Sequence, residues 1–284
     1  MRPKAIAPFV SRTALFPSVF CVFAGFAHAE APVDYASRFF DDKHKLSIGA
    51  TRQTTEITIA ATTENFEPTP LTLDDLGVSN SDNSYFIDYR YKFSERWSLF
   101  AGAYSFSGSG ENVWSRDFNF DGTEFTANTR VRADLEIDTY MVDLLYTVHR
   151  SDNVQVLLGA GFHALDFGIG LRGRLEINGE SAEVATAGTT LLAPVPNVRG
   201  SASWALNDRI YVSLVGGWLS ANVDEYEGDF VYAHLRGFYR IGEKFGVSLG
   251  YQSTDIDIKR VRATDTVDLN AQLDGPTVTL TYSF

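Results

Sequence analysis

Cysteine, methionine, basic runs and long apolar runs are all scarce in this chain. Of 284 residues, one is cysteine and two are methionine. The cysteine, Cys21, sits in an N-terminal stretch with the marks of an export signal. Arg2, Lys4 and Arg12 supply positive charge, residues 14–26 are apolar but too short to span a bilayer comfortably, and Ala27-His28-Ala29 fits a small-x-small cleavage site. Residues 1–29 are therefore expected to be a cleaved signal peptide, with a mature start near Glu30. The bulky Phe20 argues against lipidation at Cys21. A mature chain without cysteine has no disulfide and no thiol nucleophile. The formal net charge is −12, and loss of Arg2, Lys4 and Arg12 takes it to −15, which disfavours nucleic acid as a partner. After the leader no apolar run reaches the length of a transmembrane helix. Barrel strands hide their membrane signal by alternating, so that absence leaves a membrane β-barrel open.

What the chain does have is alternation. At its end, Val278, Leu280, Tyr282 and Phe284 fall on one face of a strand, and Thr277, Thr279, Thr281 and Ser283 on the other. A terminal strand frays in a soluble domain; a closed barrel pairs it on both sides and turns its apolar row to lipid. The four apolar residues resemble the C-terminal signal of Gram-negative outer-membrane β-barrels, which ends in Phe. The resemblance implies that the barrel-assembly machinery reads this strand.

The same pattern recurs upstream. Tyr85, Ile87, Tyr89, Tyr91 and Phe93 oppose Asp88, Arg90 and Lys92; Tyr140, Val142, Leu144, Tyr146 and Val148 form a second row; Val231, Ala233, Leu235 and Tyr239 oppose His234, Arg236 and Arg240. Short turns at residues 94–96, 151–153, 207–209 and 242–244 alternate with long polar excursions. The expected fold is all-β: an antiparallel up-and-down transmembrane β-barrel of about ten strands over residues 44–284, with short periplasmic turns and long extracellular hairpins. Residues 30–43 read as a periplasmic N-terminal segment. Residues 61–83 read as a loop and 255–275 as a polar rim. Asp121-Gly122 and Asn178-Gly179 suit hairpin tips, and Pro194 and Pro196 suit a bulge or kink. A soluble sandwich would bury the charged face between its sheets at a cost of several kcal/mol per unpaired ion, of the order expected for buried charges.

From Val154 onward the chain resembles a loosely defined family of small outer-membrane β-barrel proteins of Gram-negative bacteria. Gly159-Ala160-Gly161-Phe162-His163-Ala164-Leu165-Asp166, Ala193-Pro194-Val195-Pro196, Tyr226-Glu227-Gly228-Asp229 and Gly250-Tyr251 carry the resemblance. It implies place and fold, and no catalytic activity.

Several residue sets are candidates for chemistry. Asp88, Arg90, Lys92, Asp143, Arg199, His234, Arg236 and Arg240 are expected to line the lumen, as a salt-bridge network or a selectivity element. A barrel of about ten strands is narrow, so these side chains leave a plugged or narrowly wet interior. Asp117, Asn119 and Asp121 before Gly122 match the first half of a calcium loop, but Asn128 replaces the closing Glu. His149-Arg150-Ser151 has the His-x-Ser spacing of outer-membrane lipid hydrolases, and Asp42-Lys43-His44 the Asp-x-His spacing of omptin proteases; both fall at the periplasmic end. Arg130, Arg132, Arg172, Arg174, Lys259, Arg260 and Arg262 lie near outer strand ends, where cations could meet phosphates of lipopolysaccharide. The expectation is a non-enzymatic outer-membrane protein with a structural, adhesive or narrow-pore role and no cofactor. The alternatives are an outer-leaflet hydrolase, for which His163 and His234 are the residues to test, and a selective small-solute channel.

Overall fold

The computed structural model describes residues 39–63, 69–177, 180–223 and 225–284. The expected signal peptide, residues 30–38 and the tip Asn178-Gly179 lie outside them. The strands are β1 (His44–Thr63), β2 (Leu71–Thr72), β3 (Ser81–Lys92), β4 (Trp97–Val113), β5 (Phe118–Phe120), β6 (Thr123–Phe125), β7 (Arg130–Arg150), β8 (Val154–Ile177), β9 (Glu180–Ala205), β10 (Ile210–Val223), β11 (Tyr226–Arg240), β12 (Phe245–Val261) and β13 (Asp265–Ser283). Ten of them form a ring in the order β1-β3-β4-β7-β8-β9-β10-β11-β12-β13, and β13 pairs back on β1 from Lys45↔Ser283 to Thr63↔Asp265. All these pairings are antiparallel. Closure satisfies the edge strands, as lipid requires. Among the described residues no helix is long and apolar enough to cross a membrane.

The short turns follow from local chemistry. Asn207 Oδ1 accepts hydrogen bonds from the backbone N–H groups of Arg209 and Ile210, both at 2.9 Å, and so fixes the β9–β10 turn. At the opposite end, Asp121 and Gly122 take φ of 50° and 75° between β5 and β6. That left-handed pair is what a two-residue hairpin needs.

The wall has two tiers. Near the short turns, outward residues are apolar and inward ones polar: on β13, Val278 and Leu280 are exposed while Thr277, Thr279 and Thr281 are buried. Farther along the same strand the chemistry exchanges faces. Val267, Leu269, Ala271 and Leu273 are buried inside, and Asp268, Asn270 and Gln272 point out. Pleat fixes which residues face in; only the side chains on each face change. On three neighbouring strands the exchange falls at matched positions. It separates Ala103 from Ser105 on β4, Tyr140 from Asp138 on β7, and Ala164 from Asp166 on β8, with Ala103↔Tyr140↔Ala164 and Asp138↔Asp166 in register. Below it, rows such as residues 85–93 and 140–148 match the ~9–11 residues a tilted strand needs to cross hydrocarbon.

Above it, the interior is a hydrophobic core containing Ile59, Leu71, Leu76, Phe106, Phe120, Phe125, Ile137, Phe167, Leu171, Leu191 and Leu269. Two sequence readings are corrected here. Residues 255–275 are not a polar rim but the outer halves of β12 and β13, polar only at alternate positions. Residues 61–83 are not simply a loop, because Leu71, Leu73, Leu76 and Val78 sit in that core. The interior of the outer half is thus closed by hydrocarbon side chains rather than by the expected charges.

Both ends are stopped. At the hairpin end, β5 and β6 join the core, with Phe118 stacked on Phe125 at 4.7 Å and Trp114 tilted against Phe118 at 4.2 Å. The Asp121 N–H donates to Ala61 O at 3.0 Å, tying the tip to β1. At the turn end, Phe39 and Phe40 are buried against Tyr211, Phe238 and Ala205. Lys45 Nζ donates to Phe39 O at 2.9 Å, and the Arg240 guanidinium lies 5.0 Å from the Phe39 ring.

Pro194 and Pro196 make no bulge. β9 stays in register with β8 through both, at Pro196↔Phe162 and Pro194↔Ala164. Their consequence is on the other side. The Ala205 N–H points to Asn153 of the β8 side and the Leu206 N–H to Ile210 of the β10 side. N–H direction alternates along a strand, so even positions of β9 face β10. Pro194 and Pro196 therefore remove two successive donors to β10. Pairing of β9 with β10 ends at Val198↔Trp218, immediately before them.

Candidate functional site

The lumen of the lipid-facing tier gathers most of the charged side chains singled out from the sequence. Asp143 on β7 is fully buried; Arg199 Nη1 donates to its Oδ2 at 3.0 Å, Asn197 Nδ2 to its Oδ1 at 3.3 Å, and His163 Nε2 lies 3.4 Å away. The Arg199 guanidinium also sits 3.7 Å from the centre of the Phe100 ring. A second group joins β11, β3 and β13. Arg236 Nη2 donates to His234 Nδ1 at 3.0 Å and lies 3.7 Å from Asp88 Oδ2. Arg236 can only donate, so His234 carries its proton on Nε2 and donates to Thr277 Oγ1 at 3.0 Å. Lower down, Arg90 donates to Phe40 O at 3.3 Å and Arg240 Nη2 to Asp42 at 3.4 Å. Lys92 pairs with Asp41. All eight expected lumen charges face inward, as the strand period requires.

Asn197, Phe100 and Thr277 escaped the sequence reading as partners. Their inward parity was legible, but which inward residues share a level depends on the register of strands far apart in sequence.

Asp41 fastens the aromatic stopper. Arg150 donates to both of its carboxylate oxygens at 2.6 Å. Burial by itself raises the Asp41 pKa; the hydrogen bonds from Arg150 and Lys92 outweigh it and hold the carboxyl below its usual value of 3.8. A depressed carboxylate stabilises above its unfolded pKa and stops doing so as pH falls through its folded value. Hydrogen exchange at residues 39–43, corrected for intrinsic rate, should therefore stay flat from neutral pH to about 4 and rise below that. Asp41→Asn should raise it about two- to fivefold at pH 7, in line with about 0.5–1 kcal/mol for a pair this exposed.

The other candidate sets do not assemble. Ser151 Oγ is engaged with Asn153 Oδ1 at 3.3 Å and Val154 N at 3.2 Å, and Arg150 with Asp41, so His149-Arg150-Ser151 is a structured turn. His44 stacks between Tyr91 and Phe284, at 5.0 and 4.9 Å, with Nδ1 2.7 Å from the Tyr89 hydroxyl; it faces away from Asp42 chemistry and joins the aromatic girdle at the closing seam. Asp117 Oδ1 accepts from Ala127 N at 2.7 Å and Asn119 Oδ1 from Gly122 N at 3.2 Å, so both serve the hairpin rather than a shared ion. Among the described residues no group of three acidic, histidine or cysteine side chains converges to hold a metal.

Of the rim cations, Arg130 lies opposite Arg174 and Arg132 opposite Arg172, on the outward face of β7 and β8. Like charges directly opposite are unfavourable, and acids relieve them: Glu111 is 3.1 Å from Arg130 and Asp134 is 3.2 Å from Arg132. Arg262 is paired with Glu225 at 2.6 Å, and Lys259 sits opposite Glu227 and Asp268. Arg260 is withdrawn from the set. Even residues of β12 face inward, and it is buried, donating to Thr190 O at 2.7 Å and to Asp265 at 2.6 Å.

The ring, its girdle and its topology define the fold of an outer-membrane β-barrel. No protein-family model and no curated protein sequence matches the chain. Among solved structures, the outer membrane protease OmpT from Escherichia coli superposes with a TM-score of 0.58 at 10% identity, over 86% of this chain and 98% of that one. The P. putida toluene transporter TodX matches with a TM-score of 0.35 at 8% identity, over 89% and 92% of the two chains. The transport unit of the autotransporter AIDA-I from Escherichia coli matches with a TM-score of 0.41 at 9% identity, over 85% and 90%. The OmpT likeness corrects the expectation of a non-enzymatic protein. A barrel of this architecture is the frame of a protease, so the fold gives no ground for denying the chain a reaction. At 10% identity the likeness extends to the fold alone.

Proposed function

We propose that this chain is an outer-membrane barrel whose outer tier is a rigid platform for surface contacts, and that its lumen is not an open pore. The observation that carries the reading is the filled interior: aromatic and aliphatic side chains occupy the outer half, and Phe39 and Phe40 stop the other mouth. Conduction needs a continuous wet path, which barrels of about sixteen strands provide and those of about eight fill. The remaining parts of the reading are export by a Sec-type leader, assembly through Val278, Leu280, Tyr282 and Phe284, and contact of Arg130, Arg132, Arg172, Arg174, Lys259 and Arg262 with lipopolysaccharide phosphates. The acids beside those cations make such contacts an exchange of partners rather than a new gain.

In a planar bilayer the refolded protein is expected to stay silent under applied voltage. A steady unitary current in the intact chain would overturn the closed-lumen reading.

A further inference from the structure

The outward face of the outer tier carries a trough of about 720 Å³ across β4, β7, β8 and β9. Two cross-strand rows build it. Ser107, Glu136, Gly168 and Thr190 stand in the first, and Ser109, Asp134, Gly170 and Gly188 in the second. All eight have the outward parity of their strands. The glycines of β8 are not demanded from within the barrel. Neither takes a positive φ. A Cβ at Gly170 would meet no atom within 4 Å, and one at Gly168 only the Thr190 methyl, at 4.0 Å. Glycine weakens a strand, and inside one it often marks a place where something from outside comes close.

The polar groups around this floor are unspent. Among the described residues, the side chains of Ser107, Ser109, Glu136 and Thr190 make no hydrogen bond or ion pair. In the next two rows outward, Arg132 faces Arg172 and Arg130 faces Arg174. Asp134 and Glu111 pair with Arg132 and Arg130, but Arg172 and Arg174 make no ion pair among the described residues. Two like-charged pairs in succession are unfavourable for the sheet alone and well suited to a phosphate, which guanidinium groups hold by paired hydrogen bonds.

Height above the lipid narrows the source. Glu136 is four residues and Arg132 eight residues beyond Tyr140, the last lipid-facing position of β7. At about 3.4 Å per residue and a tilt of roughly 40°, they stand roughly 10 and 20 Å above the hydrocarbon. The head-group layer is only about 5–7 Å deep, so the trough and its arginines lie above lipid head-group phosphates, among whatever sugars those lipids carry. The outward side chains of the trough include no aromatic or aliphatic residue, the anchors that a protein partner would use.

We propose that the trough binds a phosphorylated oligosaccharide, the sugar portion of lipopolysaccharide. Its rings lie over Gly168 and Gly170, its hydroxyls meet Ser107, Ser109, Glu136 and Thr190, and its phosphate sits on Arg132 and Arg172. The proposal rests on the reading that the outer tier meets lipopolysaccharide, and it specifies which part of that molecule is held.

The test uses the full mature chain in phospholipid nanodiscs and the phosphorylated core oligosaccharide released from lipopolysaccharide by mild acid. Its dissociation constant is read by saturation-transfer NMR. Saturable binding is expected, with the dephosphorylated oligosaccharide at least fivefold weaker and inorganic phosphate at least tenfold weaker. Gly170→Leu, which fills the floor, and the double variant Arg132→Gln/Arg172→Gln should each weaken binding at least tenfold. Asn270→Leu, an equal bulk on the outward face of β13, should leave it within twofold. Each variant is first checked for the compact, heat-sensitive band of a folded barrel. Binding without saturation, or unchanged by Gly170→Leu, would overturn the trough as the site. Dephosphorylated sugar bound as tightly as the parent sugar would overturn the role of the arginines. A second arm places intact lipopolysaccharide in the nanodisc. A thermal midpoint that rises with it and falls back in Arg132→Gln/Arg172→Gln, while the free oligosaccharide does not bind, would overturn this proposal and leave contact with lipopolysaccharide standing. No rise and no binding would overturn both.

Discussion

Leu269→Arg is expected to prevent the barrel from folding, while Asp268→Arg, one residue away, leaves it intact. Leu269 is fully buried in the core of the outer tier, and Asp268 points to water. A guanidinium in that core would be an unpaired buried charge, costing several kcal/mol, and it would displace packed side chains as well. In the lipid-facing tier of the same strand the sensitive face reverses. Leu280→Arg should cost about 2–4 kcal/mol where it meets the middle of the hydrocarbon and less toward its edge. Urea unfolding in lipid vesicles, read by tryptophan emission and by the heat-modifiable band, separates these outcomes. A wet lumen throughout would tolerate arginine at position 269, so a folded Leu269→Arg barrel would refute the two-tier interior.

The second large effect is at Asp143. Asp143→Ala should destabilise by about 3–5 kcal/mol, because Arg199 would then be held inside the wall without its carboxylate. The pair is coupled, so effects should not add. The double variant Asp143→Ala/Arg199→Met is expected to recover most of the loss, since an apolar pair can replace a buried ion pair at little cost. Methionine would also keep contact with Phe100, now through sulfur. Additive losses across the cycle would mean that the two side chains act separately. The cycle is read from midpoints of urea unfolding under identical lipid conditions.

These two effects mark what was and was not legible in the chain. Strand identity and the inward set from Asp88 to Arg240 followed from period two, because a one-residue slip would turn greasy rows into the lumen, whereas the count of about ten strands came from the alternation of short turns with long excursions. The outer tier was misread for the same reason. At Val267, Leu269, Ala271 and Leu273 the alternation persists, but the polar partners Asp268, Asn270 and Gln272 made the segment look like a solvated rim. Parity says which residues share a face; it does not say whether that face meets lipid, water or another wall. The prolines were legible as missing donors, but the side on which they are missed depends on the N–H direction fixed at Ala205 and Leu206. The pairing of Asp143 with Arg199, Asn197 and His163 depends on β7, β8 and β9 lying at one height, which no local pattern contains.

The exchange of faces along strands such as β13 bears on the chain before the ring exists. An unassembled chain with one oily row along a whole strand could stack flat against its copies, oily side to oily side, over its full length. Here the oily row changes sides midway, so a face that meets its copy grease to grease in one half meets it polar to polar, carboxylates included, in the other. The same design that gives the finished barrel a core in its outer tier thus blunts self-association before the ring closes.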